Sequence, residues 1–554
     1  MRKRKKTICL LLVAASLLPP QAAAGVKGDR QNFSIAKSLN IFNSAIRNLK
    51  ALYVDEFDSE KSVNTAISAM LRDLDPYTVY YPADDTEELE MMISGKYAGV
   101  GAVIRKMQKS EYVVINELYE GMPAHAAGMK AGDMIMQVDT TDVTGKTTSD
   151  VSNLLRGDAG TTVTVTALRP GENEPKTYKI IRANIQLPAV PYYGMVNDST
   201  GYILFERFIE GCSRDMRLAL VALKEKGARN LILDLRGNGG GSLSESVEVV
   251  NLFVPKGQTV VETRGRLAQA TQTYKTRHGA TDEEMPLVVL VDGNTASAAE
   301  ILSGALQDLD RAVVVGNRTY GKGLVQVPRD LPYGGMMKIT TSKYYIPSGR
   351  CIQAIDYAQR DDDGMVGRIP DSLTTVFHTA AGREVRDGCG ISPDIEVKGD
   401  KMANIVYYLA SDDCLFNFVT SWCTKHDSIA TAEDFAVTDE IFEAFKDSVR
   451  ASGFSYDRQS EQILARLKEW AEFEGYMEGA KEEFAALEAK LRHNLDKEFD
   501  NSADDIKMLL ANEIISRYYY QQGTVIQSLK SDEGLKEAVN IIANPEEYRK
   551  ILRP

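Results

Sequence analysis

Apolar positions along the chain change their period more than once. From about Asn32 to Leu74 they recur every three or four residues, with Ile35, Leu39, Ile41 and Ile46 first and Ala66, Ile67, Met70 and Leu71 later. That spacing predicts helix, and Asp75-Pro76 ends it. Strand-like segments follow, punctuated by glycine, at 99–105, 112–118, 133–139, 162–168 and 176–183. Small residues in MPAHAAGMKAGD (122–133) predict a short helical turn, and SDVSNLLRG (149–157) a helix. From Gly201 strands alternate with helices, from GYILFERF through NLILDL and PLVVLVD to RAVVVG, which predicts an α/β layer. Beyond about Lys401 helical steps return, as in Ile463, Leu467 and Trp470, then Phe484, Leu487 and Leu491. Gly523 is expected to close a turn after Tyr518–Tyr520.

The first residues break with this texture. Arg2, Lys3, Arg4, Lys5 and Lys6 precede the apolar run Ile8–Leu18 and then QAAAG. A basic segment, an apolar segment and small residues predict a signal peptide cleaved after Ala24, and so a periplasmic or secreted protein. An uncleaved anchor competes, but a span needs ~20 apolar residues and this run is shorter.

Length and charge narrow the partners. A chain of 554 residues is too long for one core. Removing residues 1–24 takes five of its 65 Lys and Arg, leaving 60 against 78 Asp and Glu and a net charge of −18. Such a surface repels phosphate backbones, so nucleic acid is not an expected partner. The remaining cysteines, Cys212, Cys351, Cys389, Cys414 and Cys423, lack C-x-x-C spacing and indicate neither zinc nor a dense disulfide frame. The acidic stretch Asp361-Asp362-Asp363-Gly364 lacks the alternating oxygen ligands of a calcium loop and reads as a solvated surface loop.

Candidate chemistry begins at Ser297, where PLVVLVDGNTASAAEILSGALQ passes from buried strand to helix. Ser297-x-x-Glu300 is a capping box, the common reason for serine there. The same position places a hydroxyl beside unpaired helical N–H groups, where the oxyanion of acyl transfer is stabilised, with the Ala298 N–H as one donor. A Gly-rich loop, Arg236 to Gly241, follows another apolar strand and allows backbone N–H groups close approach to a reacting carbonyl. Serine needs a base. The histidines are His125, His278, His378, His426 and His493, none lies between Glu300 and Phe377, and no G-x-S-x-G surrounds Ser297.

Lys322 lies 25 residues after Ser297, between two glycines. A lysine serves as base when neutral, and lowering its pKa from ~10.4 to ~7 takes about 4.6 kcal/mol of differential stabilisation, within reach of burial. Gln326, four residues on, shares its face and is placed to orient the amine. The competing reading is a phosphate loop, Gly316-x-x-x-x-Gly321-Lys322. That motif needs Ser or Thr where Gly323 stands and a helix afterwards, whereas LVQVPRDLP predicts a strand broken by Pro328.

Several blocks together resemble the C-terminal processing (tail-specific) serine peptidases of bacterial envelopes and chloroplast lumens. They are LDPYTVYY (74–81), LILDLRGNGGG (231–241), DGNTASAAEI (292–301), RTYGKGLVQ (318–326), YYIPSGRCIQ (344–353) and GISPDIEV (390–397). The resemblance implies Ser297 as nucleophile, Lys322 as general base and Gln326 as the residue positioning it. It also implies an oxyanion hole from the Ala298 N–H and an N–H of Gly240 or Gly241, although Gly239 stands where many relatives have proline. Residues 84–184 look like a PDZ domain, with Gly99, Val100, Gly101 and Ala102 matching its peptide-carboxylate loop. Consecutive N–H groups there form a concave anion site beside an edge to which a peptide adds as a strand; taken alone, the loop is equally a glycine turn.

The fold so implied is multidomain α/β (α+β): a signal peptide at 1–24, a helical N-terminal region at 25–83, an inserted PDZ domain at 84–184, a crotonase/Clp-protease-like β/α core with a cap at 185–400, and a helical region at 401–554. The implied partners are proteins with unstructured C-terminal tails, without cofactor or metal; a regulatory adaptor and a homo-oligomer stay open. A second class of function, a non-catalytic PDZ scaffold on a peptidase fold, is disfavoured by retention of Ser297, Lys322 and Gln326 together. Cys389 replaces a glycine common in relatives and leaves a pairing with Cys351 open. The resemblance gives the region after residue 401 no role.

Overall fold

The computed structural model describes residues 21–83, 86, 94–108, 110–357, 360, 366–398, 403–456, 459–491 and 494–553. The apolar run Ile8–Leu18, the acidic stretch Asp361–Gly364 and His493 lie outside them. Two compact units result: a smaller one of Pro328–Ile339 with the described residues up to Ala83, and a larger one of the described residues in Asp84–Val327 and Thr340–Pro554.

In the smaller unit the expected single helical stretch is two helices, Gln21–Leu52 and Ser59–Arg72. The break falls where Asp58 takes an extended conformation and its carboxylate accepts the Lys61 N–H at 3.0 Å, starting the second helix. Asp75 then holds the turn of LDPYT, accepting the Tyr77 and Thr78 N–H groups at 2.8 Å each. Strand Val79–Tyr81 pairs antiparallel with 336–338.

The larger unit begins with the PDZ-like domain. Strands Ala102–Lys106, Val113–Leu118, Met134–Val138, Thr162–Leu168 and Lys176–Ile181 pair in that order around Ile115, Ile135, Val163 and Val165, with helix Thr148–Leu155 packed on them. Ala102–Lys106 ends the order and is an edge strand. Next comes a six-stranded sheet in the order Tyr192–Met195, Thr200–Leu204, Asn230–Asp234, Leu287–Val291, Val313–Gly316 and Ile395–Glu396, parallel from the second strand onward.

Its strands read as continuous apolar runs because both faces are covered. Leu231, Leu233, Leu287, Val289 and Val291 pack into the core that includes helices Cys212–Glu225, Leu243–Val250 and Ala298–Asp308. The alternate residues Ile232, Val288, Leu290, Val313 and Val315 pack against Leu535, Ala538, Ile541, Ile542 and Tyr548.

Those last residues belong to helices Glu533–Ala543 and Pro545–Leu552, so these two helices cover one face of the six-stranded sheet. The buried Tyr548 hydroxyl accepts the Leu287 N–H at 2.9 Å and donates to the Leu287 carbonyl at 3.1 Å. The rest of the C-terminal helices form their own core around Phe445, Phe499, Leu510 and Ile514. Gly523 does not close a turn: helix Ala503–Leu529 continues past it, kinked at Tyr520 with φ 52° and ψ −153°. All five cysteines from Cys212 onward are free thiols, so Cys351 and Cys389 are unpaired here.

Candidate active site

Three neighbouring parallel strands deliver the candidate residues from their C-terminal ends. Asn230–Asp234 leads into the Gly-rich loop, Leu287–Val291 into DGNTAS, and Val313–Gly316 into the lysine loop. Register aligns them, with Leu231 opposite Leu287 and Val288 opposite Val313. Open α/β sheets bind ligands beyond these strand ends.

Asp292 shapes the serine turn. Its Oδ1 accepts the N–H groups of Gly237, Asn294 and Thr295 at 3.0, 3.0 and 2.9 Å, tying the turn to the Gly-rich loop. Ser297 follows with φ 58° and ψ −117°, a conformation that costs a side-chain-bearing residue ~1–3 kcal/mol and is found where function holds it. Its hydroxyl makes no cap bond; the Glu300 N–H donates instead to the Ser297 carbonyl at 2.9 Å. The half-buried hydroxyl makes no hydrogen bond among the described residues. Among the described histidines, His125 bonds to Gly121 and Tyr520 and His426 stacks on Trp422; none bonds to Ser297.

Glu300 has a larger role than capping. It is 0 % exposed and receives four hydrogen bonds. Oε2 accepts the Ser297 N–H at 2.8 Å and the Lys322 N–H at 2.9 Å. Oε1 accepts the Thr319 hydroxyl at 2.5 Å and the Gly321 N–H at 2.8 Å. Burial pushes its carboxyl up to about 7, although all four bonds pull it down. The buried Tyr344 hydroxyl makes a second bridge, shared between the Ser297 carbonyl at 3.1 Å and the Lys322 carbonyl. One carboxylate and one phenol thus fix the backbones of Ser297 and Lys322 to each other.

The lysine loop is packed backbone to backbone. Gly321 has φ 87°, and a Cβ there would run into Ala354 Cβ; at Gly323 it would meet the Gln353 nitrogen at 2.8 Å. The Gly323 N–H donates to Gln353 Oε1 at 2.7 Å. Lys322 is followed by strand Leu324–Asp330, so the helix a phosphate loop requires is absent. Gln326 lies on that strand, its amide nitrogen donating to Thr340 Oγ1 at 3.2 Å.

Gly240 and Gly241 hold different places in the Gly-rich loop. Gly240 has φ 96°, and a Cβ on it would lie 2.7 Å from the Ala296 carbonyl, 2.8 Å from Ser297 Cβ and 2.9 Å from the Ala298 nitrogen. Its N–H is taken by Asn238 Oδ1 at 2.9 Å, while Asn238, fully buried, donates to the Phe205 carbonyl at 2.7 Å. The Ala298 and Gly241 N–H groups make no hydrogen bond among the described residues. Arg236 anchors the loop to the end of the chain through Asp532, which accepts from its Nη1 at 2.9 Å. Gly240→Ala is expected to lower kcat at least about 100-fold, since a shift of ~1 Å at reacting groups costs that much. Steady-state kinetics on an unfolded substrate, with tail-peptide affinity as the folding control, checks it.

At the PDZ-like loop Gly101 has φ 73°, and the Val100 and Gly101 carbonyls are taken by the N–H groups of Ala124 at 2.8 Å and Tyr119 at 3.2 Å. The N–H groups of Val100 and Gly101 make no hydrogen bond among the described residues. Gly99 closes strand Lys96–Gly99 and Ala102 opens the edge strand.

Sequence reasoning missed Glu300 as a bridge, Tyr344, Asn238 and the Arg236–Asp532 anchor. Glu300, Tyr344 and Asn238 stand inside the motif blocks quoted above, whereas nothing local marked Asp532.

Comparison with known proteins adds family relations. Residues 199–360 match the model of peptidase family S41, 114–169 that of a PDZ domain, and 405–542 one described as "Probable PDZ-protease, C-terminal helical domain". A carboxy-terminal-processing protease of Bartonella bacilliformis is 32% identical over 349 residues, covering 62% of this chain and 79% of that protein. A protein of Staphylococcus haemolyticus described as a "Probable CtpA-like serine protease" is 34% identical over 345 residues, covering 62% and 67%. Among solved structures, a photosystem II D1 C-terminal processing protease is 28% identical, with TM-score 0.36, covering 65% of this chain and 93% of that one.

Proposed function

Since the chain belongs to peptidase family S41, as a C-terminal processing serine protease carrying a PDZ domain, we propose that it cleaves proteins at or near unstructured C-termini through a Ser297–Lys322 dyad. The observation that carries this is the Glu300 carboxylate, whose one oxygen holds the amides of both residues. Ser297 Oγ attacks the scissile carbonyl while neutral Lys322 takes its proton. The oxyanion is met by the Ala298 N–H and by an N–H of the Gly-rich loop; Gly241 suits this better than Gly240, whose N–H already serves Asn238. Collapse expels the amine, protonated by the lysine, and leaves an acyl-enzyme that water hydrolyses with the lysine again as base. Gln326 is the residue to hold the amine in position. Contacts between nucleophile and base commonly tighten only with substrate bound, in keeping with a Ser297 hydroxyl that nothing else ties down.

The PDZ domain supplies tail recognition: the substrate's last residues add to edge strand Ala102–Lys106 and the terminal carboxylate enters the loop Gly99–Ala102. The basic start, apolar run and QAAAG motif support action in the periplasm or outside the cell. Membership of the peptidase family sets aside a purely binding scaffold.

The test is cleavage of unfolded proteins identical except for their last residues, with product masses measured. Rates are expected to follow the tail and cuts to fall near it. Equal rates for all tails, or cuts scattered without regard to the terminus, would remove tail recognition from the proposal.

A further inference from the structure

Resting on the reading that an N–H of the Gly-rich loop meets the oxyanion, we infer that Asp532 is a positioning residue for that loop, acting through Arg236. Arg236 opens the loop, and its guanidinium spans two carboxylates. Its Nε donates to both oxygens of buried Asp234 at 3.0 Å each. Asp234 is itself fixed within the sheet, since its Oδ2 accepts the Tyr202 hydroxyl at 2.7 Å. Asp532 accepts from Nη1 at 2.9 Å and from Nη2, and ties the guanidinium to the junction of helices Ala503–Leu529 and Glu533–Ala543. Beyond Arg236 the loop is packed against the serine turn. The Gly237 N–H is held by Asp292 at 3.0 Å, the Asn238 carbonyl accepts the Ala296 N–H at 2.9 Å, and a Cβ on Gly240 would run into Ser297. A displaced guanidinium therefore moves the loop relative to Ser297, and with it the open Gly241 N–H.

Neither partner needs this bond to keep its own place. Helix Glu533–Ala543 is seated on the sheet by Leu535, Ala538, Ile541 and Ile542. Asp532 caps it by accepting the Leu535 N–H at 2.9 Å, a bond that asparagine also makes. Arg236 keeps Asp234 as its counter-charge. What the second carboxylate adds is placement, because two fixed carboxylates hold a planar guanidinium in position and orientation. Burial pushes the Asp532 carboxyl up, but the hydrogen bonds and charge of Arg236 outweigh it and hold the group below the usual carboxylate range, so it is ionised at neutral pH. Gly534 leaves the guanidinium its room: a Cβ there would lie 3.1 Å from Arg236 Nη1.

The experiment uses the full chain and compares turnover with binding of a peptide aldehyde, which Ser297 converts to a hemiacetal whose oxygen occupies the oxyanion hole, and of the matching peptide alcohol, which forms no such adduct. Asp532→Asn is expected to lower kcat about tenfold, part of the ~10²–10³ that a lost oxyanion donor costs, with KM, tail-peptide affinity and Tm near the parent's. Its affinity for the aldehyde is expected to fall by the same factor and that for the alcohol to stay unchanged, since only the adduct resembles the transition state. Gly534→Ala, which presses on the same guanidinium, is expected to move kcat and aldehyde affinity together in the same direction, and carries the test should Asp532→Asn not fold. Parent kcat in the folded variants, or a lower kcat with unchanged aldehyde affinity, overturns the inference alone. A parent that binds the aldehyde no more tightly than the alcohol overturns Ser297 as nucleophile and the inference with it.

Discussion

Replacing Ser297 with alanine is expected to lower kcat by about 10⁴-fold or more while tail-peptide binding persists, because the acyl-enzyme loses its only attachment point. Lys322→Arg is expected to fall as far. Arginine stays protonated at any working pH and cannot take the serine's proton. Both side chains are half-buried, and neither substitution removes the bridges of Glu300 and Tyr344, which bind main-chain atoms of residues 297 and 322. Folding should therefore survive, and loss of turnover should not come with loss of the site's frame. The double variant is expected to be no slower than Ser297→Ala, since members of one catalytic unit do not add. Single-turnover cleavage of an unfolded substrate measures all three. Turnover near the parent rate in either single variant would dissolve the dyad.

Glu300→Gln is expected to combine a loss of stability with a loss of rate. An amide offers one acceptor oxygen where the carboxylate offers two, and its NH₂ must face either Ser297 and Lys322 or Thr319 and Gly321. Each orphaned buried donor costs about 1–3 kcal/mol. A drop of roughly 3 kcal/mol in unfolding free energy and about 100-fold in kcat follows, the latter because Ser297 and Lys322 lose their common reference point. The pH dependence separates this group from general damage. Its carboxyl is pushed by burial from 4.5 to about 7, so the folded chain binds the proton more tightly than the unfolded one. The stability supplied by that proton is complete below about 4.5 and is lost as pH rises through about 7, a loss of about 3 kcal/mol. Unfolding free energies across this range are expected to fall with pH more steeply in the parent than in Glu300→Gln. Parallel profiles would show that Glu300 does not titrate there.

Much of the protein was legible as local pattern. The α/β alternation from Gly201 and the helices beyond Lys401 follow from periods of 2 and 3.6, which neighbouring residues encode by themselves. Gly323 in place of a hydroxyl residue and the strand predicted after Lys322 argued against a phosphate loop, and strand Leu324–Asp330 bears that out. Long-range pairing was not legible. Ser297-x-x-Glu300 has the form of a cap, yet Glu300 spends its second oxygen on a loop 19 to 21 residues away. The helical end of the chain carried no assignable role, yet Tyr548 and Asp532 hold Leu287 and Arg236 across more than 250 residues.

By itself the sequence determined the α/β alternation from Gly201 and the helices beyond Lys401, and it singled out Ser297 and Lys322 as the candidate hydroxyl and amine. Tertiary structure alone decided that a buried carboxylate and a tyrosine hold those two residues together, that Gly240 gives its amide to Asn238, and that the last helices roof the catalytic sheet. The physical reason is one of range. Backbone preference and side-chain periodicity act within a turn or a strand, whereas an apolar face or a buried donor specifies only that it must be covered or paired. Which distant residue does so is fixed when the whole chain closes around it.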